Sequence, residues 1–425
     1  MKKFSRLTLR RSYKPLIVSV ALYFMFSTAW SQVGHRFPSE KLTVKDKVTG
    51  AVITVLTTSP ANDEKIYQTH PQWTFDQKYI IFTSSRGEGS RSKLFAVDVK
   101  TGTIIQLTEA SVGGPTIARR SNKVYYSSGG KLIEMDLGSL FQDSEQGTAK
   151  SQASYERVIA TIQFGGLTLD ADEKVAYVGV SMRDSVPGKP ANLSGIRAIN
   201  LENGTISKVI DVPFRMGHMQ ANPFKSGEIL FCWETGGDSP QRMWLVNADG
   251  SGYRPLYKER PDEWVSHEAW VDINTVYFNC KPSNFYTKWL PNVQDFRERG
   301  EGMFTTGAFT MPTGIFSINV RNDNVLVLAS SEQGHGYWHN NGSSNGKWAL
   351  GDSFDGNLYL INVKNGKRSL LSTGNLLIFK GGPDVALFHP HATFRPDGKQ
   401  VLYQSGMYSQ GKNYDLMLVD VPTDN

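Results

Sequence analysis

The chain is 425 residues long, with a formal net charge of +6 and two cysteines. The whole excess of charge lies in Lys2, Lys3, Arg6, Arg10, Arg11 and Lys14; the remainder carries 40 basic and 40 acidic residues, which excludes a broad basic surface for nucleic acid. A chain of this length buries a full core without covalent staples, so Cys232 and Cys280 are expected as free, buried thiols on neighbouring structural units.

Residues 1–31 read as a secretory signal. The basic start is followed by an apolar run over 15–26, too short to span a membrane comfortably, and Ala29 and Ser31 are small residues suited to cleavage after Ser31. No later run is long and apolar enough to span, so an exported protein, periplasmic or secreted, is expected. Residues 32–61 form an N-terminal segment in which 51–56, after the turn at 48–50, alternate like a strand.

Residues 62–425 are built from an internal repeat. Seven segments of short alternating strands, bounded by Gly, Asp and Asn turns, begin near 70, 114, 166, 221, 267, 339 and 391. Four strands per 40–50 residues make a propeller blade. The last segment stops one strand short, and residues 51–56 supply it. The expected fold is an all-β, seven-bladed β-propeller whose N-terminal strand closes the last blade; helical patterns of useful length are absent.

Four histidines fall at one position of the repeat. His70-Pro-Gln-Trp73, His267-Glu-Ala-Trp270 and His391-Ala-Thr-Phe394 share a pattern, and His339 precedes Gly342 at the same distance. Equivalent positions on a ring of blades converge on its axis. His389 shares a strand face with His391. With His267 they offer three imidazoles to a divalent ion, unless they only hydrogen-bond loops or water. Blade four has Ala221 at the repeat position, which puts His218 three residues early, in an entering loop beside Arg215. An imidazole titrating near 6.5 serves as a base at neutral pH, and a guanidinium grips a carboxylate with two hydrogen bonds. Trp233 and Arg242 flank a glycine-rich stretch suited to a sugar, although Trp233 reads equally as packing. His70 and His339 are expected as substrate contacts or spare ligands. A phosphate-cradling loop and a His-Glu-x-x-His zinc motif are absent.

Gly217-His218, Phe231-Cys232-x-Glu234, the run from Arg242 to Gly250, His267-Glu-x-Trp270, His339 before Asn345-Gly346, and His389-Pro-His391 occur in that order. Together they resemble the oligogalacturonate lyases, over most of the chain beyond residue 31. The resemblance implies a propeller that cleaves uronic-acid glycans by β-elimination with a divalent metal, typically manganese, with zinc or calcium as alternatives. It matches His267, His389 and His391 to metal ligands, and Arg215 and His218 to carboxylate binding and proton abstraction. Two positions depart from the family's pattern: Ala386 stands where a glutamine ligand is found, and Trp233 where histidine is usual. The fourth ligand is then His339, His70 or water. An ulvan-type uronate lyase is the second expectation, and a non-catalytic, protein-binding periplasmic propeller the third. A monomer is expected.

Overall fold

The computed structural model describes residues 33–86, 93–182, 193–235, 239–260, 263–282, 314–330, 337–353, 356–375 and 389–422. The expected signal segment and Ala386 lie outside them. The described residues form seven antiparallel sheets, each a blade of a β-propeller. The inner strands are Asp63–Lys65, Gly113–Ile117, Gly165–Leu169, Met216–Ala221, Glu263–Trp270, Tyr337–Gly342 and Thr393–Phe394.

The ring closes as the repeat count requires. Val52–Val55 pairs with Asp415–Asp420, setting Ile53 opposite Val419 and Val55 opposite Met417. It is the outer strand that the last blade lacks. Leu42–Lys45 adds a fifth strand to the same sheet, and Arg36–Phe37 pairs with Ile104–Gln106 on blade one. The N-terminal segment therefore belongs to two blades and bolts them together.

Alternation along each strand sends apolar side chains to both faces of a blade, where neighbouring blades cover them. The result is seven apolar clusters, each shared by two adjacent blades. Blades one and two, for example, share Ile81, Leu94, Val124 and Tyr126, and blades seven and one share Phe82, Phe95, Leu402 and Leu416. Each such side chain contributes about 1.5–3 kcal/mol when fully buried, so blade-to-blade packing holds the ring. Cys232 and Cys280 are free and buried, on blades four and five.

One element departs from the sequence reading. A helix, Leu137–Gln146, is inserted in blade two. Asp136 caps it by accepting the Ser139 N–H, and Gly147 ends it in the left-handed region at φ +70°. Phe141 stacks on Tyr79 at 4.0 Å between centroids. Ten residues with apolar contacts at only 137, 140 and 141 give too short a period to read from sequence.

Candidate active site

The turn after each inner strand fixes how the blades correspond. A backbone N–H closes it in all seven: Thr74 to Tyr79, Ala118 to Lys123, Asp170 to Val175, Asn222 to Glu228, Val271 to Thr275, Ser343 to Trp348 and Arg395 to Gln400. Four residues before these donors stand His70, Gly114, Gly166, His218, His267, His339 and His391. His218 is therefore in register. Ala221 occupies the aromatic's position, equivalent to Trp270, which corrects the expectation of a displaced histidine in an entering loop. His218 lies within the strand Met216–Ala221, at a bulge between Gly217 and Gln220.

That position is strained where it matters. His218, His267 and His391 have φ of 46°, 45° and 49°, in the region that favours glycine. A side chain held there costs of order 1–3 kcal/mol, and such strain gathers at functional sites. The left-handed bulge turns three imidazoles toward the axis. Blades two and three carry glycine instead, and a Cβ at Gly114, Gly165 or Gly166 would meet nothing within 4 Å. Five blades thus present imidazoles, and two leave room.

Three other imidazoles cluster around His339. Its centroid lies 4.2 Å from that of His267, 4.9 Å from His389 and 4.3 Å from His391. Tyr67 fills the middle, 5.4 Å from His218, 6.0 Å from His339 and 5.1 Å from His391. Candidate ligand atoms of His339, Asp352 and His389 all lie within 4.8 Å of one another. Burial, reinforced by neighbouring positive charge, holds His267 and His391 well below the usual imidazole range and His389 down at about 3. These rings are neutral at pH 7 and keep a lone pair each. His267 Nδ1 is buried with no hydrogen-bond partner.

The His218 ring sits against a separate charged network. Its Nδ1 lies 3.5 Å from Glu268 Oε1 and 3.5 Å from Arg242 Nη2, and its Nε2 lies 3.8 Å from Glu234 Oε2. Arg242 Nε donates to Glu268 Oε2 at 3.1 Å. The Arg242 side chain is 5% exposed, so it supports His218 from behind rather than facing a ligand. Burial lowers the His218 pKa, Glu268 opposes this, and Arg242 adds to it; the net shift is downward.

Beside His218 opens a cavity of about 340 Å³, lined by Gly165, Gly166, Ser181, Ser194 and Arg215 among others. Arg215 is exposed and enters no ion pair among the described residues. Trp233 stacks on Phe214, centroids 4.8 Å apart and planes 14° apart, a packing contact within blade four. His70 lies apart from the cluster. Its Nδ1 is 3.3 Å from Thr116 Oγ1, and it lines a different cavity of about 420 Å³ with Arg119, Trp270 and Arg395.

Sequence reasoning missed Tyr67, Glu268 and Asp352. Glu268 and Asp352 had one local signal each, a carboxylate directly after a registered histidine and one on the strand pairing with His339's own. Tyr67 had none.

No family model matches the chain. It is 25% identical over 215 residues to an oligogalacturonate lyase of Dickeya dadantii (strain 3937), covering 49% of this chain and 51% of that protein. An oligogalacturonide lyase of Pectobacterium atrosepticum is likewise 25% identical, over 214 residues, with the same coverage. The chain spans about half the length of the curated relatives it matches. Among solved structures, an oligogalacturonate lyase in complex with manganese superposes with a TM-score of 0.73 at 22% identity, over 92% of this chain and 98% of the other. That of Vibrio parahaemolyticus gives 0.73 at 20%, over 92% and 99%. These likenesses agree with the seven-bladed fold and with the resemblance carried by the histidine motifs.

Proposed function

We propose that this chain is a uronate lyase, cleaving an oligogalacturonate-type glycan by metal-assisted β-elimination. One observation carries the reading: a single blade position gives imidazole on five blades, three of them strained, and glycine on two, beside a cleft holding His218 and Arg215. The relatives' names support it.

The residues fit a divalent transition ion. The donor set is neutral imidazole from His267, His389 and His391, with the unpartnered Nδ1 of His267 buried among them. Imidazole nitrogen suits a transition ion such as zinc better than calcium, which takes oxygen; manganese is the ion bound by the oligogalacturonate lyase that superposes on this chain. Such an ion, when bound, supplies positive charge against the uronate carboxylate.

The chain's own residues do the rest. A proton at C5 is poorly acidic while the adjoining carboxylate is charged. Arg215, exposed at the cleft, pairs with that carboxylate in a two-pronged contact. His218, neutral at pH 7, takes the C5 proton at Nε2 while Nδ1–H faces Glu268. The electrons of the C5–H bond form the C4=C5 double bond, the C4–O bond breaks, and the departing oxygen takes a proton from solvent. General-base catalysis contributes roughly 10²–10⁴-fold. Charge neutralisation of the carboxylate then carries the larger share of the acceleration. Glycines 165 and 166 leave the width that a sugar chain needs.

We read the protein as exported, on the strength of residues 1–31. No helix of the described residues is long and apolar enough to cross a membrane. The test is to incubate the chain from residue 32 onward with oligogalacturonate plus manganese and follow absorbance of the unsaturated product. A steady rise, lost in His218→Ala, is expected. No rise on any uronate polymer would overturn the reading.

A further inference from the structure

The histidine that ties the cluster together is not one of the three matched to ligands. His339 is the only ring within 5 Å, centroid to centroid, of each of His267, His389 and His391 among the described residues. Imidazoles sharing an ion at ~2.1 Å from each nitrogen place their centroids roughly 5 Å apart. His389 and His391, by contrast, are 6.3 Å apart. His339 sits where a common ligand would.

Its ring is also held in the form a ligand needs. Asp352, 2% exposed, lies 3.0 Å through Oδ2 from His339 Nδ1. A carboxylate only accepts, so Nδ1 carries the hydrogen and Nε2 keeps its lone pair. The same carboxylate accepts the His339 backbone N–H at 2.7 Å and the His391 backbone N–H at 3.3 Å. One buried group thus fixes a ring on blade six and the left-handed backbone on blade seven. Carboxylate behind histidine is the arrangement that orients metal-bound imidazoles.

We propose that His339 is a fourth imidazole ligand of the ion, with Asp352 as the residue that positions it. The inference rests on the metal-dependent reading above and goes beyond the three histidines matched there. It gives Asp352, on the strand that pairs with His339's own, a positioning role. It would draw the ion's ligands from blades five, six and seven.

The test reads metal, not turnover. Manganese is titrated into the apo chain by calorimetry, and the bound ion's nitrogen neighbours are counted by electron spin-echo spectroscopy. The wild type is expected to bind one ion with four imidazole nitrogens. His339→Ala should lose about 10–100-fold in manganese affinity and show three. Asp352→Asn should lose about 10–100-fold while keeping its nitrogens. Circular dichroism checks that both variants fold, and the wild-type count decides the matter if either does not. Three nitrogens in the wild type, or unchanged affinity in His339→Ala, overturns the inference and leaves the lyase reading standing. A wild type that takes up no manganese overturns both.

Discussion

Glu268→Gln is expected to lower stability and turnover for separable reasons. Glu268 is 1% exposed and accepts from Arg242 at 3.1 Å, while the next carboxylate, Glu234, is 3.7 Å from that guanidinium. The amide keeps the shape and one acceptor oxygen, so the loss is the negative charge facing a buried cation. Breaking one side of a buried pair costs about 3–5 kcal/mol, and the retained acceptor places this variant near the lower figure. For a chain of this size each kcal/mol moves Tm by roughly 1–2 °C, which gives a fall of about 3–6 °C. The kinetic effect comes from the proton on His218. Nδ1 stands 3.5 Å from both Glu268 and Arg242. Without the carboxylate, Nδ1 accepts from Arg242 and the hydrogen moves to Nε2, the nitrogen assigned to C5. A fall in kcat on the order of 10²-fold is expected, with KM little changed, against the ~10²–10⁴-fold that a general base supplies. Glu268 also raises the His218 pKa against burial, so its loss moves the acidic limb of the kcat/KM profile to lower pH. Differential scanning fluorimetry and the product absorbance assay across pH measure all three. A variant that melts and turns over like the wild type, or whose acidic limb moves upward, refutes the reasoning.

Filling the cleft is a test of a different kind. Gly165→Phe places a ring where a Cβ meets nothing within 4 Å, so Tm should hold within about 1 °C while KM rises at least tenfold; unchanged KM would place the substrate elsewhere. Ile53→Ala truncates a fully buried side chain of the closing strand; a loss of about 2–5 kcal/mol is expected by denaturant unfolding, and a loss under 1 kcal/mol would show that the ring closes without it. His70 is held down at about 4 by burial, with Arg119, Lys65 and His218 adding to it. It is neutral in the folded chain while the unfolded chain takes up a proton below pH 6.5. Stability is therefore unaffected above that pH and falls as pH drops from 6.5 toward 4. His70→Gln should flatten part of that fall in a melting series over pH, and an unchanged slope would contradict the placement of the ring.

The repeat was legible because it is written in local backbone chemistry. The polar turn between Trp73 and Tyr79, or between Phe394 and Val401, needs certain residues at fixed offsets, and alternation shows which residues face a neighbouring blade. Residues 51–56 were readable as the closing strand because the last repeat ended one strand short. The same method misplaced His218, since with Ala221 in place of an aromatic the eye had only a residue type to align, and the hydrogen bond from Asn222 to Glu228 supplied the missing reference. The helix Leu137–Gln146 escaped because a single capped excursion has no period to find.

The number of blades, the closure of the ring and the shared register of His70, His267, His339 and His391 were written in the chain, because each follows from a pattern repeated along it. The tertiary structure alone decided which histidine stands at the centre and what stands behind it. His339 meets His267 and His391 across separations of 72 and 52 residues, and Asp352 reaches blade seven through the His391 N–H. Distances between blades depend on how far each bulge turns a ring and how tightly neighbouring sheets pack, and no spacing within one repeat carries that information.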